Sequence, residues 1–242
     1  MNLSARRRGL MGKESGGGTV HGTWEDLFRA IDAGTYSTEY AVGDTIPLDL
    51  GTEGIINMEI VKFNADVDEN NSAVPVSMIG VELLTTSHRF NPAQNGDTEG
   101  TGNIGGWPKS ELRTFMNGTI YDLIPATVKS RIKTVKKYSQ GHTDSATNEK
   151  NLLSTDKIWC PGMHEITTSS GWESSGSNYS NDATWRKKHK VGSDTNIQWW
   201  SRSGYKDNAA QCSAPTSGGS VSSGNIKNTQ NSYGIAIGFC IG

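Results

Sequence analysis

The chain has 242 residues and a formal net charge of −2, enough length for one large domain or two small ones with a substantial core. Gly, Ser, Thr and Asn fill 96 positions, yet seven Trp and seven Tyr exclude a disordered chain, since disordered segments lack aromatics. A near-neutral balance excludes a strong field toward nucleic acid or an anionic membrane, and no run approaches the ~18 apolar residues of a membrane span. No nucleic-acid or membrane partner is expected.

Cys160, Cys212 and Cys240 stand at wide, irregular spacing, which is no disulfide framework but leaves one bridge open. Met1–Lys13 is short, basic and without an apolar core, so no secretion signal is expected. Work outside a cell would then need another route, such as release with a virus particle.

Residues 1–22 read as a basic, glycine-rich arm, with Arg6-Arg7-Arg8 and Gly16-Gly17-Gly18. It is either a solvated leader or a tether to a larger assembly. The domain is expected over 23–242. A helix is predicted at Thr23–Ala33: Thr23 and Asp26 fit a capping box, Trp24, Leu27, Phe28 and Ile31 share one face, and Gly34 stops it. Thr45–Leu48 contains Pro47 and reads as an edge strand. Ile56, Met58 and Ile60 alternate as a half-buried strand, and Val76–Leu84 is a more apolar one. Between these, Asp66–Ser72 reads as a solvated hairpin loop, since it lacks the glycine and closing glutamate of a calcium loop.

After a long polar loop (Arg89–Gly106), Ser110 caps a helix whose Leu112, Phe115 and Met116 face inward and which Asn117-Gly118 ends. Pro125 opens a short helix over Ala126–Arg131 that passes into a strand, Ile132–Tyr138. Its basic residues (129, 131, 133, 136 and 137) read as a solvated face. Asp156–Cys160 is a brief strand, Thr167–Asn181 an exposed polar loop, and Trp185–Lys190 a basic turn.

The last 45 residues organise the rest. Ile197–Trp200 and the alternation Tyr233, Ile235, Ile237, Phe239, Ile241 read as strands. Between them lie the 32 residues Ser201–Ser232, of which 18 are Gly, Ser, Thr or Asn. So little core material folds only when flanking strands display it, and displayed polar loops concentrate binding. Trp199 and Trp200, adjacent on a strand, are expected to face opposite ways, one into the core and one under the loop. Arg202 is expected to hold the loop through backbone carbonyls.

The unit W-P-x-S-x-L-R-x-F-x-N-G (Trp107–Gly118), the Trp-bearing strand Asp156–Cys160, W-W-x-R-S (Trp199–Ser203) and S-Y-G-I-A-I-G-F (Ser232–Phe239) together resemble the C-type-lectin-fold domains related to formylglycine-generating enzyme. The similarity extends to the phage and gut-bacterial branch that includes variable proteins of diversity-generating retroelements, and covers Ala41–Gly242 in element order. The final strand departs from the G-V-R-P-A pattern of many relatives. The resemblance implies an α+β, C-type-lectin-like fold of small twisted antiparallel sheets, two or three helices and long loops. It also implies a solvent-facing binding surface on the C-terminal segment, diversified in the retroelement versions at Asn, Tyr, Ser, Asp and Thr. The composition of Ser201–Ser232 fits that diversification and fits ordinary loop chemistry as well.

The candidate contact residues are Tyr205, Lys206, Asp207, Asn208, Asn225, Lys227 and Asn228, with Trp172 and Tyr179 from the preceding loop; Trp199, Trp200 and Arg202 are their scaffold. Tyr supplies rigid amphipathic area and Asn and Ser supply adaptable hydrogen bonds. No catalytic residue, metal or cofactor is assigned. Cys212 and Cys240 stand far apart with Cys240 in an apolar strand, against a formylglycine-type oxidase, and Cys160 with His164 lacks a second ligand pair.

The leading expectation is a non-catalytic phage tail or fibre-tip adhesin recognising a bacterial surface protein or glycan. It would reside in the virion, or in the bacterial cytoplasm before assembly, and a homotrimer suits a fibre tip by analogy. The alternatives are a structural tail or baseplate component attached to other virion proteins through residues 1–22, and a formylglycine-type enzyme.

Overall fold

The computed structural model describes residues 20–91, 102–143, 147–168, 171–221, 226–228 (as backbone) and 231–242. The fold is α+β, with short helices around small antiparallel sheets.

Helix α1 (Trp24–Asp32) starts as its sequence dictates: the Thr23 hydroxyl accepts from the Asp26 N–H, and the Asp26 carboxylate accepts from the Thr23 N–H, each at 3.2 Å. Its apolar face packs on the sheet, burying Leu27 and Ala30 and bringing the Trp24 ring within 6.0 Å of Phe239. The Trp24 indole donates to Pro47 O at 2.8 Å. After one turn, α2 (Tyr36–Glu39), the chain enters β1 (Thr45–Asp49), β2 (Ile55–Phe63) and β3 (Val76–Gly80). β1 is the edge strand, where Pro47 removes no needed donor. β2 buries Ile56, Met58 and Ile60, matching the alternation. β3 ends sooner than the apolar run suggests.

β4 (His88–Arg89) precedes α3 (Gly106–Lys109) and α4 (Glu111–Phe115). Ser110 caps α4, accepting from the Arg113 N–H at 3.1 Å. The helix does not stop at Asn117-Gly118. It widens into a π turn (Met116–Ile120) and continues as α5 (Tyr121–Leu123). Asn117 is unavailable as a stop because its amide donates to Ile158 O (2.8 Å) and its oxygen accepts from the N–H groups of Lys157 and Ile158 (3.2 Å each). Gly118 does not take the left-handed conformation that ends helices.

α6 (Ala126–Lys129) leads to β5 (Ile132–Lys133) and β6 (Val135–His142), which divide the single predicted strand in two. β6 forms a long hairpin with β7 (Asn148–Asp156), whose polar sequence gives no alternation to read. β8 (Ile158–Trp159) and α7 (Met163–Ile166) follow, then the two-residue β9 (Lys188–His189) and β10 (Asn196–Ile197), which pair. β11 (Gln211–Ser213) pairs with β12 (Ile226–Asn228), and β13 (Ser232–Tyr233) with β4.

The C-terminal strand β14 (Gly238–Ile241) lies inside the main sheet. It pairs with β3 on one side and with β8 and β5 on the other. Residues 234–241 are all buried, so this strand is apolar on both faces. The main core gathers here, with Trp200, Phe239, Ile241, Met78 and Trp107; a smaller cluster comprises Leu83, Met163, Ile166, Trp172, Trp199 and Ala236.

Candidate functional site

The first polar constellation is internal. Lys137 is 1% exposed and uses all three ammonium protons: on Asp66 Oδ1 (2.7 Å), Glu165 Oε1 (3.1 Å) and the Tyr179 hydroxyl (2.7 Å). Its ammonium also lies 3.5 Å from the centre of the Trp159 ring. The Tyr179 hydroxyl donates onward to Asp66 Oδ2, which also accepts from the Ser77 hydroxyl, both at 2.6 Å. Arg202 pairs with Glu165 Oε2 (2.5 Å) and donates to Tyr138 O (2.8 Å) and Cys160 O (2.9 Å). Two cations thus face two carboxylates. Burial pushes Asp66 up, but the charge of Lys137 and the bonds from Lys137, Ser77 and Tyr179 prevail and hold it at about 2. Burial likewise opposes the ionised forms of Lys137 and Glu165, yet their partners keep the lysine above its ordinary value and the glutamate below. Nothing here is poised to exchange a proton near neutrality.

This network corrects three sequence expectations. Lys137 is interior, not on a solvated face. Asp66 leaves the hairpin loop for the core, while Asp68 holds that turn by accepting from the Asn70 and Ser72 N–H groups (2.8 Å each). The segment Thr167–Asn181 is not an exposed loop throughout: Trp172 is buried in the smaller cluster, and Glu173 is buried, accepting from Ser203 Oγ (2.7 Å). Trp172 therefore does not lie on an open contact surface, and Tyr179 is half-buried with its hydroxyl turned into the network. The Tyr179 ring stacks on Trp159, and its hydroxyl is fully engaged. Likewise Trp185–Lys190 is no plain basic turn, since Arg186 and Lys188 are buried. Arg186 donates to Gly219 O (2.8 Å) and Ile166 O (2.7 Å).

Of the three residues expected as scaffold, Arg202 bonds Glu165 and the carbonyls of Tyr138 and Cys160, none of them in Ser201–Ser232. Trp199 and Trp200 are both fully buried on opposite sides of the chain. Trp199 sits in the smaller cluster and donates to Arg186 O (2.9 Å). Trp200 sits in the main core and donates to His88 O (2.8 Å). Its ring meets Tyr233 edge-on, with centroids 4.9 Å apart.

Ser201–Ser232 is not displayed as one loop. Ser201–Gly204 and Cys212–Pro215 are buried, Gly204 and Cys212 bridge antiparallel, and the turn between them carries Tyr205, Lys206, Asp207 and Asn208 to the surface. Those side chains are largely engaged with one another or with local backbone. Lys206 pairs with Asp207 (2.5 Å), the Tyr205 hydroxyl is held up in pKa by its bond to Asp207, and Asn208 Oδ1 accepts from the Ala210 N–H (2.7 Å). Lys227 and Asn228 lie on the backbone of β12, and Asn225 falls outside the described residues.

The second constellation is a surface groove of about 340 Å³ lined by Ser87, Asn196, Ile197, Gln198, Ser217, Ser232, Tyr233 and Gly234. It lies where the two strands flanking Ser201–Ser232 meet: the Gly234 N–H donates to Gln198 O, and the Trp200 N–H to Gly234 O, both at 3.0 Å. A Cβ on Gly234 would come within 2.6 Å of Leu83 Cδ1, so glycine keeps the floor down. Among the described residues, the side chains of Ser87, Asn196, Gln198, Ser217 and Ser232 form no hydrogen bond. The sequence presented Gln198 and Tyr233 only as strand anchors. The one signal for them was position, at the two ends of the polar segment.

The three thiols are free and buried. Burial raises each of them well above its ordinary value, and Asp66 reinforces this at Cys240.

The family model for a domain of unknown function, DUF6273, matches residues 80–241, two thirds of the chain. The chain belongs to the DUF6273 family. Its DUF6273 region begins at the last residue of β3, so it contains the entire groove, while α1, β1 and β2 precede it. Searches of curated proteins and of solved structures return no match.

Proposed function

We propose that this DUF6273 protein is a non-catalytic ligand-binding protein of C-type-lectin-like architecture, acting as a receptor-binding adhesin at the tip of a phage tail. The observation that carries the reading is the groove: uncommitted amides and serine hydroxyls beside a floor set by Gly234 and a Tyr233 ring held by Trp200. Binding sites are typically a few unengaged polar groups on a rigid frame. Buried thiols with raised pKa values lack the thiolate that a formylglycine-type oxidation requires, which favours binding over that chemistry. Helix α1 has its apolar face committed to its own sheet, which favours an adhesin over a part assembled through that helix.

The test is adsorption of the purified protein to a panel of bacterial cells. Gln198→Ala with Tyr233→Leu should cut adsorption at least tenfold in a protein that still folds, with only the ~1 kcal/mol of the lost Tyr233–Trp200 ring contact missing from its stability. A triple alanine substitution of Lys206, Asp207 and Asn208 should have a smaller effect. Adsorption that ignores the groove variant while the turn variant abolishes it would move the site to that turn. Absence of adsorption to any cell would sink the adhesin reading.

A further inference from the structure

Resting on that binding reading, we infer that the groove takes an uncharged saccharide of one or two rings and needs no metal ion to do so. The described residues that line it offer three serine hydroxyls, two carboxamides, Ile197 and the Tyr233 ring, with no charged side chain among them. An anionic ligand would lose hydration there without gaining an ion pair, and a cationic one would find no carboxylate. On the neighbouring strand β4 the charges are already engaged: Arg89 pairs with Glu111 at 3.0 Å and His88 stands 3.5 Å from the same carboxylate. A peptide would need apolar pockets for its side chains, and Ile197 and Tyr233 alone do not supply them.

A neutral sugar asks for what is present. Its hydroxyls donate and accept in equal measure, which matches amides and hydroxyls that do both. Its C–H face packs on an aromatic ring, and Tyr233 is half-buried and held in place by the edge-on contact with Trp200. A volume near 340 Å³ lies at the small end of ligand sites. The amides of Asn196 and Gln198 would bond the sugar hydroxyls directly, with no metal ion between them.

The experiment is saturation-transfer NMR on the full chain in EDTA. The probes are glucose, galactose, mannose, rhamnose, N-acetylglucosamine and N-acetylgalactosamine, with N-acetylneuraminic and glucuronic acids as charged counterparts. At least one neutral sugar should bind, and Gln198→Ala and Tyr233→Leu should each weaken it at least fivefold. Tyr233→Phe, which keeps the ring, should hold affinity within about twofold and so separates stacking from misfolding. Binding only of the acids, binding lost in EDTA, or binding indifferent to the groove variants would overturn the inference. If no saccharide binds while cell adsorption still depends on Gln198 and Tyr233, the saccharide is wrong and the adhesin stands. If adsorption also fails, both fall.

Discussion

Two polar regions of this molecule are built from similar residues and are opposites in how those residues are used. Around Lys137, each described charged group of the constellation has a partner within 3.1 Å and almost no contact with water. Around Gln198, the side-chain amides and serine hydroxyls meet solvent and none is bonded within the described protein, while the Tyr233 hydroxyl accepts from the Asn231 amide at 3.4 Å. The first arrangement fixes the relative positions of β6, α7 and the start of the C-terminal segment. The second leaves hydrogen-bonding capacity for something else. A polar residue thus says little until its partners are known, and commitment separates scaffold from site better than polarity does. Lys188 stands between the two limits. It is buried and donates to Gly80 O (2.7 Å) and Val81 O (3.3 Å), with its ammonium 4.3 Å from the Trp185 ring centre, but no carboxylate among the described residues bonds to it.

The comparison breaks most visibly at Lys137. Lys137→Met removes one of two cations facing two buried carboxylates, and stranding a buried charge in this way costs about 3–5 kcal/mol. Urea unfolding should report that loss or a failure to fold. A cost below ~1 kcal/mol would mean that water reaches Asp66 and Glu165 and that the network is not a closed frame.

Lys188 sharpens the contrast through pH. Burial lowers its pKa from the ordinary 10.5 to about 8, against the opposing pull of Glu59 and Glu82. Between these values the unfolded chain holds a proton that the folded chain has lost, so this residue makes stability rise with pH across that window, by roughly 3 kcal/mol. Unfolding at pH 7.5 and 10 should show the rise, and Lys188→Met should remove it. Asp66 gives the reverse limb. Its folded pKa of about 2 lies below the ordinary 3.8, so its contribution is present above pH 3.8 and is lost as pH falls toward 2, on the order of 2 kcal/mol. Asp66→Asn should flatten that acid limb, though from a less stable starting point.

Local chemistry was legible in the sequence. The Thr23–Asp26 box, the Ser110 cap, Pro47 at an edge and the alternation of Ile56, Met58 and Ile60 each depend on neighbours a few residues away, and each appears where expected. Charges were not legible, because their burial is decided at a distance: Lys137 meets Asp66 across 71 positions and Glu165 across 28. Read locally, Lys137 is one of a run of basic residues and Asp66 the start of an acidic turn. Trp172 was misplaced for the same reason, since a Ser- and Gly-rich flank says nothing of the core that captures an embedded ring. The site was legible only in outline. The ends of Ser201–Ser232 do converge on a groove, but composition pointed inside the segment, where Lys206, Asp207 and Asn208 engage one another or nearby backbone.

The smallest expected effect is the most telling for function. Asn196→Ala with Gln198→Ala removes two side chains that contribute no hydrogen bond within the described fold. Stability should change by less than about 0.5 kcal/mol, as for surface positions lacking a structural role. Two half-buried amides retained at no benefit to folding are consistent with use by a ligand. A loss of 2 kcal/mol or more would place them in the frame, alongside Arg202 and Glu165, and the groove would then be a seam in the scaffold with nothing left over to bind. Chemical denaturation of the double variant, run beside the adsorption assay on the same preparation, decides between them.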